Sequence, residues 1–446
     1  MRNQNIKRKS VQILPQSKFK ANLLDWLVAG CLLISSADIF FVVHVAGNVR
    51  IGQAGLFTLS LLFITQEGLR TLKKMGVWPL LIFATINGAL VFQTSFFTRA
   101  VTYEMWLIVS IITVIGIASR YGKPDRFIWI LRAYLNGFGI IAAFGLAQLT
   151  LSHLGVDLLV SQPGRINGLS YEPSYYATYA LIGWVVVMYL LECPKGLVSR
   201  GMLWTLSGLI TLSLVASTSR TVMVGMGVWI ARLMVVSIFQ GVRGRLNRER
   251  LYAAILGIIA AFVGIILFMS LPRYTQMDLL SGTGLMDTAS HSVDQRMKGM
   301  QDTLDIFYAS PLIGCSLGGV SVKVAEMYGL SVQSLDELKL SEGSSVFAEI
   351  LAGTGVIGFA MFFFYLVRLE MRAFSIPWSG NRAYTDIVRG LAWSLVILMI
   401  VLQLNQNILR VYVWNHFGIL TAAILGAGGG KIISNRKRKL SAVLQT

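Results

Sequence analysis

Charge is what this chain of 446 residues has least of: 13% of its residues are Asp, Glu, Lys or Arg, 55% are hydrophobic, and the mean hydropathy is +0.65. Soluble chains carry about 25% charged residues, so the composition excludes an ordinary soluble globular protein. Cysteine is scarce. Cys31, Cys193 and Cys315 are scattered through the sequence, which excludes a disulfide framework or a cysteine-based zinc site. The four histidines (His44, His153, His291, His416) do not cluster, and no metal site is expected. P-loop, dinucleotide fingerprint, H-E-x-x-H and D-x-D pair are all missing, so neither a nucleotide-driven engine nor a metal-held nucleotide sugar is expected. No cofactor is expected, and the energy for any reaction must come from the substrate or from a gradient.

What the chain has in quantity is long apolar runs. Twelve segments, at roughly 22–46, 51–68, 77–94, 101–119, 127–151, 173–192, 201–217, 221–240, 251–271, 345–367, 388–404 and 411–430, are long enough, or nearly so, to cross about 30 Å of hydrocarbon as helices. The first has a basic flank but no small-residue cleavage site, and it reads as a retained span. The expected fold is an all-α polytopic membrane protein with about 12 transmembrane helices and one large outer loop carrying short amphipathic helices. Its organisation runs from a basic tail (1–21) through nine spans (22–271), the outer loop (272–344) and three more spans (345–430) to a second basic tail (431–446).

The net charge of +18 is distributed by topology. With the N-terminus cytoplasmic, 27 of the 39 Lys and Arg fall on inner segments and ten on outer ones, alternating loop by loop. This is the positive-inside pattern. It puts both termini in the cytoplasm and removes nucleic acid as a partner. "RNQNIKRKS", "RGRLNRER" and "NRKRK" are then topology signals that can also touch anionic membrane lipids.

The outer arginines run against that rule. Arg165 lies in "PGRINGLSYEPS" (163–174), ahead of a proline that can open a helix. Arg220 lies in "ASTSRT" (216–221), a tight hairpin at the bilayer's edge, and Arg296 lies in the first turn of an amphipathic helix within the large loop. Guanidinium forks match phosphate oxygens and stay charged at any relevant pH, so converging arginines at a membrane surface suit a lipid-linked diphosphate. Three separate headgroup or acid contacts would explain them equally well. Glu172 has three open roles: a staple to Arg165, a helix N-terminal charge, or the base that takes a proton from a sugar hydroxyl. Tyr171, Tyr175 and Tyr176 beside it fit a sugar-binding edge and fit an interfacial belt as well.

"RINGLSYEPSYYATYAL" (165–181), "STSRT" (217–221), "RMKGMQDTLDIFYASPLIGCSLG" (296–318) and "SSVFAEILAGTGVIGFAMF" (344–362) occur in that order, and the chain so resembles the O-antigen polymerase and ligase family of bacterial membrane glycosyltransferases. The resemblance covers roughly 160–370 in detail. It implies a metal-independent glycosyltransferase on the outer face of the bacterial inner membrane. Such an enzyme moves a glycan from an undecaprenyl diphosphate carrier to an acceptor hydroxyl, with a chain-length regulator and a flippase as associated proteins. The family's arginines match Arg165, Arg220 and Arg296, which implies catalytic roles for Arg220 and Arg296 and a substrate contact from Arg165. Beside them the sequence offers Glu172 as a catalytic residue, with Glu172 or His291 the candidate if a base is used, and Tyr171, Tyr175, His291 and Ser344 as substrate contacts. Ligases of the family carry a His-Asn pair where this sequence has Ser344 and Ser345. That departure favours a polymerase of repeat units (O-antigen, capsule or exopolysaccharide) over a ligase acting on lipid A core or protein. A transporter of lipid-linked sugars is the alternative from another class. Against it stands the shortage of mid-span charge, with Asp38 and His44 the main candidates.

Overall fold

The computed structural model describes residues 19–37, 41–44, 48–67, 72–162, 164–193, 196–242, 290–330, 345–377, 382–404 and 408–443. Its elements are α1 (Leu23–Leu33), a short hairpin of β1 (Val42–His44) and β2 (Asn48–Arg50), α2 (Ile51–Glu67), α3 (Leu72–Met75), α4 (Trp78–Leu90), α5 (Phe97–Tyr121), α6 (Pro124–His153), α7 (Pro173–Glu192), α8 (Arg200–Ala216), α9 (Arg220–Val242), α10 (Ser290–Ala309), α11 (Val320–Met327), α12 (Val346–Phe374), α13 (Arg382–Val401) and α14 (Val411–Val443). The chain is an all-α polytopic membrane protein. Among the described residues seven helices are long and apolar enough to cross a membrane, namely α5, α6, α7, α9, α12, α13 and α14 as far as Gly428. Three shorter apolar helices, at Leu23–Ser36, Trp78–Gln93 and Arg200–Ala216, accompany them. The apolar segment 251–271 lies outside the described residues.

Two boundaries depart from the apolar pattern. The run 22–46 is not one helix: α1 gives way to a 3-10 turn over Ile34–Ser36, and the chain then reverses through the β1–β2 hairpin, with Val42 opposite Arg50 and Val43 opposite Val49. Ser35 and Ser36 compete locally for backbone hydrogen bonds, and paired valines favour the extended form, so apolarity outlasts helicity here. At the other end of the chain the "GAGGG" stretch does not end a helix; α14 continues through it to Val443.

α7 is sheathed on most sides. It packs against α8, α9 and α13, and nearly all of its residues are buried. α14 lies along α5, and α12 along α4. One end of the bundle gathers acid–base pairs. Arg120 donates from Nε and Nη2 to the Asp25 carboxylate, each at 3.0 Å, and the Tyr121 hydroxyl adds a bond at 3.1 Å. Arg126 meets Glu67 at 2.7 Å, and Arg232 meets Glu192 at 2.6 Å.

The opposite end is built around an interruption of α12. Gly355 has φ 63° and ψ −173°, a region open essentially to glycine alone. An unbroken helix would pair the Val356 N–H with the Ala352 carbonyl. Here each finds a partner in the segment "PLIGCS" instead: Val356 N–H donates to the Pro311 carbonyl at 2.8 Å, and the Ala352 carbonyl accepts from Cys315 N–H at 3.1 Å. The approach is backbone to backbone, since a Cβ on Gly314 would stand 2.6 Å from the Gly353 carbonyl. Asn87 of α4 secures the next residues by accepting from Leu317 N–H at 2.7 Å, while its amide donates to Glu104 of α5 at 2.7 Å. α10 and α11 are thus docked on α12 through Ile306, Phe307, Cys315, Val320, Val324 and Ala352.

Gly355→Ala tests this joint. In an ordinary helix the change stabilises by roughly 0.5–1 kcal/mol. Here it is expected to cost about 1–3 kcal/mol and lower the thermal unfolding temperature of the detergent-purified protein; an unchanged or raised midpoint would contradict the joint.

Candidate functional site

Two loops meet at the end of the bundle that holds the α12 break, residues 154–162 and 164–172 between α6 and α7 and the turn 217–219 between α8 and α9, and Arg296 of α10 stands within electrostatic reach of Arg165 and Arg220. Arg165 is the tie between the two loops. Its Nε and Nη2 donate to the Ser217 carbonyl at 3.1 and 3.0 Å, Nη2 reaches the Thr218 carbonyl at 3.4 Å, and Nη1 donates to Gln162 Oε1 at 2.8 Å. Thr218 is held at φ 50°, which tightens the turn and sets Arg220 as the first residue of α9.

Arg220 and Arg296 both act on Arg165. Burial comes first in pushing the Arg165 guanidinium below its usual pKa, the charge of Arg220 adds to it, Glu172 works in the opposite direction, and Arg296 again lowers it. Arg220 also senses Arg296. Three arginines from three separate segments therefore share one field, with Glu172 inside it. Arg296 lies in the second turn of α10 and not the first, because the helix begins at Ser290.

Glu172 occupies the N-cap position of α7, with Pro173 at the first helical position, where a missing N–H costs nothing. Its side chain makes no capping bond; instead its Oε2 accepts from the Ser174 hydroxyl at 2.9 Å. Arg165 spends its hydrogen bonds on the 217–218 carbonyls and Gln162, so the tie between Arg165 and Glu172 is one of charge across space. Tyr171 is exposed. Tyr175 lies under the guanidinium of Arg410, 3.5 Å from ring centroid to the guanidinium carbon. His291 sits near the start of α10, and Ser344 and the side chain of His291 lie outside the described residues.

Two contributors stand outside the site residues expected from the sequence. Arg410 stands just before α14 and joins the Glu172 side of the site through Tyr175. It was legible by the same sign that singles out Arg220, an arginine at the head of a span on the arginine-poor side. Ser345, beside the expected Ser344, caps α12: its Oγ accepts from Ala348 N–H at 3.4 Å and donates to Gln403 Oε1 at 3.0 Å. Among the described residues no group of three or more His, Cys, Asp or Glu side chains is arranged to hold a metal ion. His416, far from the loops, is buried within α14 and donates from Nε2 to the Leu391 carbonyl at 3.0 Å.

Residues 205–363 match the family model described as O-antigen ligase. This match supports the resemblance to the O-antigen polymerase and ligase family. No curated protein matches it. The matched span runs from α8 to the middle of α12 and takes in Arg220, Arg296 and both sides of the α12 break. Arg165, Glu172 and Arg410 lie outside it. Together the family and the apolar helices describe a multi-pass membrane enzyme that handles glycans by glycosyl transfer.

Arg165→Lys probes the tie between the loops. One ammonium cannot reproduce a fork that reaches Ser217, Thr218 and Gln162 together. The loss of one to two hydrogen bonds is expected to cost about 1–3 kcal/mol and to speed proteolysis between 154 and 172. Wild-type stability and cleavage would mean that the fork does not hold the loop.

Proposed function

We propose that the protein polymerises undecaprenyl-diphosphate-linked oligosaccharide repeat units into surface polysaccharide on the outer face of the bacterial inner membrane, with both termini cytoplasmic. The observation that carries this reading is the convergence of Arg165, Arg220 and Arg296 in one field. Such a cluster neutralises a diphosphate and stabilises the charge that develops when it leaves. The non-reducing-end hydroxyl of one carrier-linked unit attacks the anomeric carbon of the growing chain. A new glycosidic C–O bond forms, the C–O bond to the diphosphate breaks, and the electron pair departs on the carrier diphosphate. Arg220 and Arg296 hold that leaving group. Arg165 contributes charge from its tethered position. Glu172, close enough to act electrostatically on Arg165, takes the hydroxyl proton or orients the acceptor, and Tyr171 and Tyr175 line the sugar's approach. A chain-length regulator and a flippase are the proposed protein partners, with the lipid carrier and bilayer lipids around the site.

The family description favours a second reading, a ligase that transfers glycan to lipid A core or to protein. The head of α12 supports the polymerase instead. Where ligases carry a His-Asn pair this chain has serines, and the Ser345 hydroxyl is engaged in capping the helix and binding Gln403. It offers no base there.

The experiment is a surface-glycan gel from cells lacking the protein, complemented with wild type, Arg220→Ala or Arg296→Ala. The null strain is expected to show single repeat units. Each variant is expected to lose polymer about 100-fold or more, the scale seen when a charge-stabilising donor is removed. Long carrier-linked chains in the null strain would support the ligase reading. A full ladder from both variants would remove the arginines from the chemistry.

A further inference from the structure

At the end of the bundle away from the arginine site, four other cations gather around one turn. Arg368 and Arg372 stand i, i+4 on one face of α12 and reach the turn between α3 and α4. Gly76 admits them. Its φ is 76°, and a Cβ on it would stand 3.0 Å from Arg372 Nη1 and 3.2 Å from Arg368 Nε. Arg372 donates from Nη1 to the Met75 carbonyl and from Nη2 to the Lys74 carbonyl at 2.6 Å. Lys73 and Lys74 are exposed in α3, just before the turn. Arg368 lies beside Trp78, 6.0 Å from its ring centroid.

Arg120, Arg126 and Arg232 meet carboxylates at this end, but none of these four side chains has an acid partner among the described residues. Glu370 lies between the two arginines in sequence, and positions two apart on a helix do not face each other. Its carboxylate oxygens are buried without a hydrogen-bond partner. The positive-inside pattern needs cations at one end of a span; it does not need them to converge on one glycine. Next to the cluster the surface turns apolar. Trp78 of α4 packs on Phe364 of α12, 5.6 Å between ring centroids, and both are exposed together with Leu81, Val367 and Met371. α4 runs along α12, so this strip continues into the span.

We infer that the α3–α4 turn and the last turns of α12 bind an anionic phospholipid of the leaflet at that end, its phosphate among Arg368, Arg372, Lys73 and Lys74 and its acyl chains along Trp78 and Phe364. Charge complementarity selects an anionic lipid over a zwitterionic one, and guanidinium groups supply donors that match phosphate oxygens. The inference is independent of the reaction and holds for a polymerase or a ligase alike.

The test is quenching of tryptophan fluorescence in the purified full-length chain, in neutral detergent, by phosphatidylglycerol or phosphatidylcholine with brominated acyl chains. The Trp78 signal is the difference between wild type and Trp78→Phe, which keeps a ring against Phe364. Phosphatidylglycerol is expected to quench that signal at a concentration at least about fivefold below phosphatidylcholine. Arg368→Gln, and separately Lys73→Gln combined with Lys74→Gln, are each expected to raise the phosphatidylglycerol concentration required by about fivefold or more and to leave phosphatidylcholine unchanged. These side chains make no hydrogen bond among the described residues, so neither variant removes one from the fold. Equal quenching by the two lipids would mark an ordinary lipid-facing surface and overturn the inference, as would a selectivity that neither variant moves. A Trp78 signal that no brominated lipid reaches would mean that protein covers the strip, which also overturns it. Release of the quenching by an equal concentration of inorganic phosphate would mark a free-anion site instead of a lipid site.

Discussion

The geometry of the site depends on one broken helical hydrogen bond. α12 gives up the pairing of Val356 N–H with the Ala352 carbonyl, and the segment after α10 supplies both missing partners. The exchange gives both groups a new partner, which is why an interruption inside a long apolar helix can be tolerated. It also fixes the loop by backbone atoms on both sides. Side-chain packing then aligns α10, and α10 carries Arg296. Ile306 and Phe307 of α10 pack beside Cys315 and Ala352 at this joint.

At one end of the bundle Arg120 meets Asp25 and Arg232 meets Glu192 within hydrogen-bond reach, while Arg200 and Arg372 donate to backbone carbonyls. Arg232 is in addition boxed by the rings of Trp229, Tyr189 and Trp393. Removing one partner of such a pair leaves a buried charge uncompensated and costs about 3–5 kcal/mol, so these contacts act as structural locks. At the other end guanidinium groups stand in one another's field, and Arg165 is anchored by neutral carbonyls and an amide in place of a carboxylate. Carbonyl dipoles hold the group in position without cancelling its charge, and that leaves the field available to a ligand.

Much of this was legible in the sequence, and the parts that were not have physical reasons. Apolar run length and the bias of Lys and Arg are bulk properties, and eleven of the twelve apolar segments carry a helix in the described residues. Arg165, Arg220 and Arg296 stood out because they oppose that bias, yet their meeting is a tertiary fact that spacing cannot encode. The glycines of "GTG" and "PLIGCSLG" were visible as two motifs. Their complementarity was not, because it is made by a swap of backbone partners between segments about forty residues apart. The β1–β2 hairpin was missed because Val42 and Val43 are as apolar as a span, and hydropathy does not distinguish extended from helical backbone. Arg410 was counted among the outer cations and passed over, since its relation to Tyr175 depends on α14 returning beside α7.

Mutual repulsion among Arg165, Arg220 and Arg296 is a cost the fold carries before any ligand arrives, and an anion relieves it. Guanidinium groups remain protonated even when burial and neighbouring cations lower their pKa, so the cluster cannot escape its charge by titration. Glu172 offsets part of it, and in the proposed reaction a diphosphate whose charge grows as the sugar bond breaks would relieve more at the transition state than in the ground state. That difference is the part of binding that accelerates a reaction. The Ser217 carbonyl is central to this economy. It accepts two donors of Arg165 and lies three residues before Arg220, so the turn that positions one arginine also restrains the other.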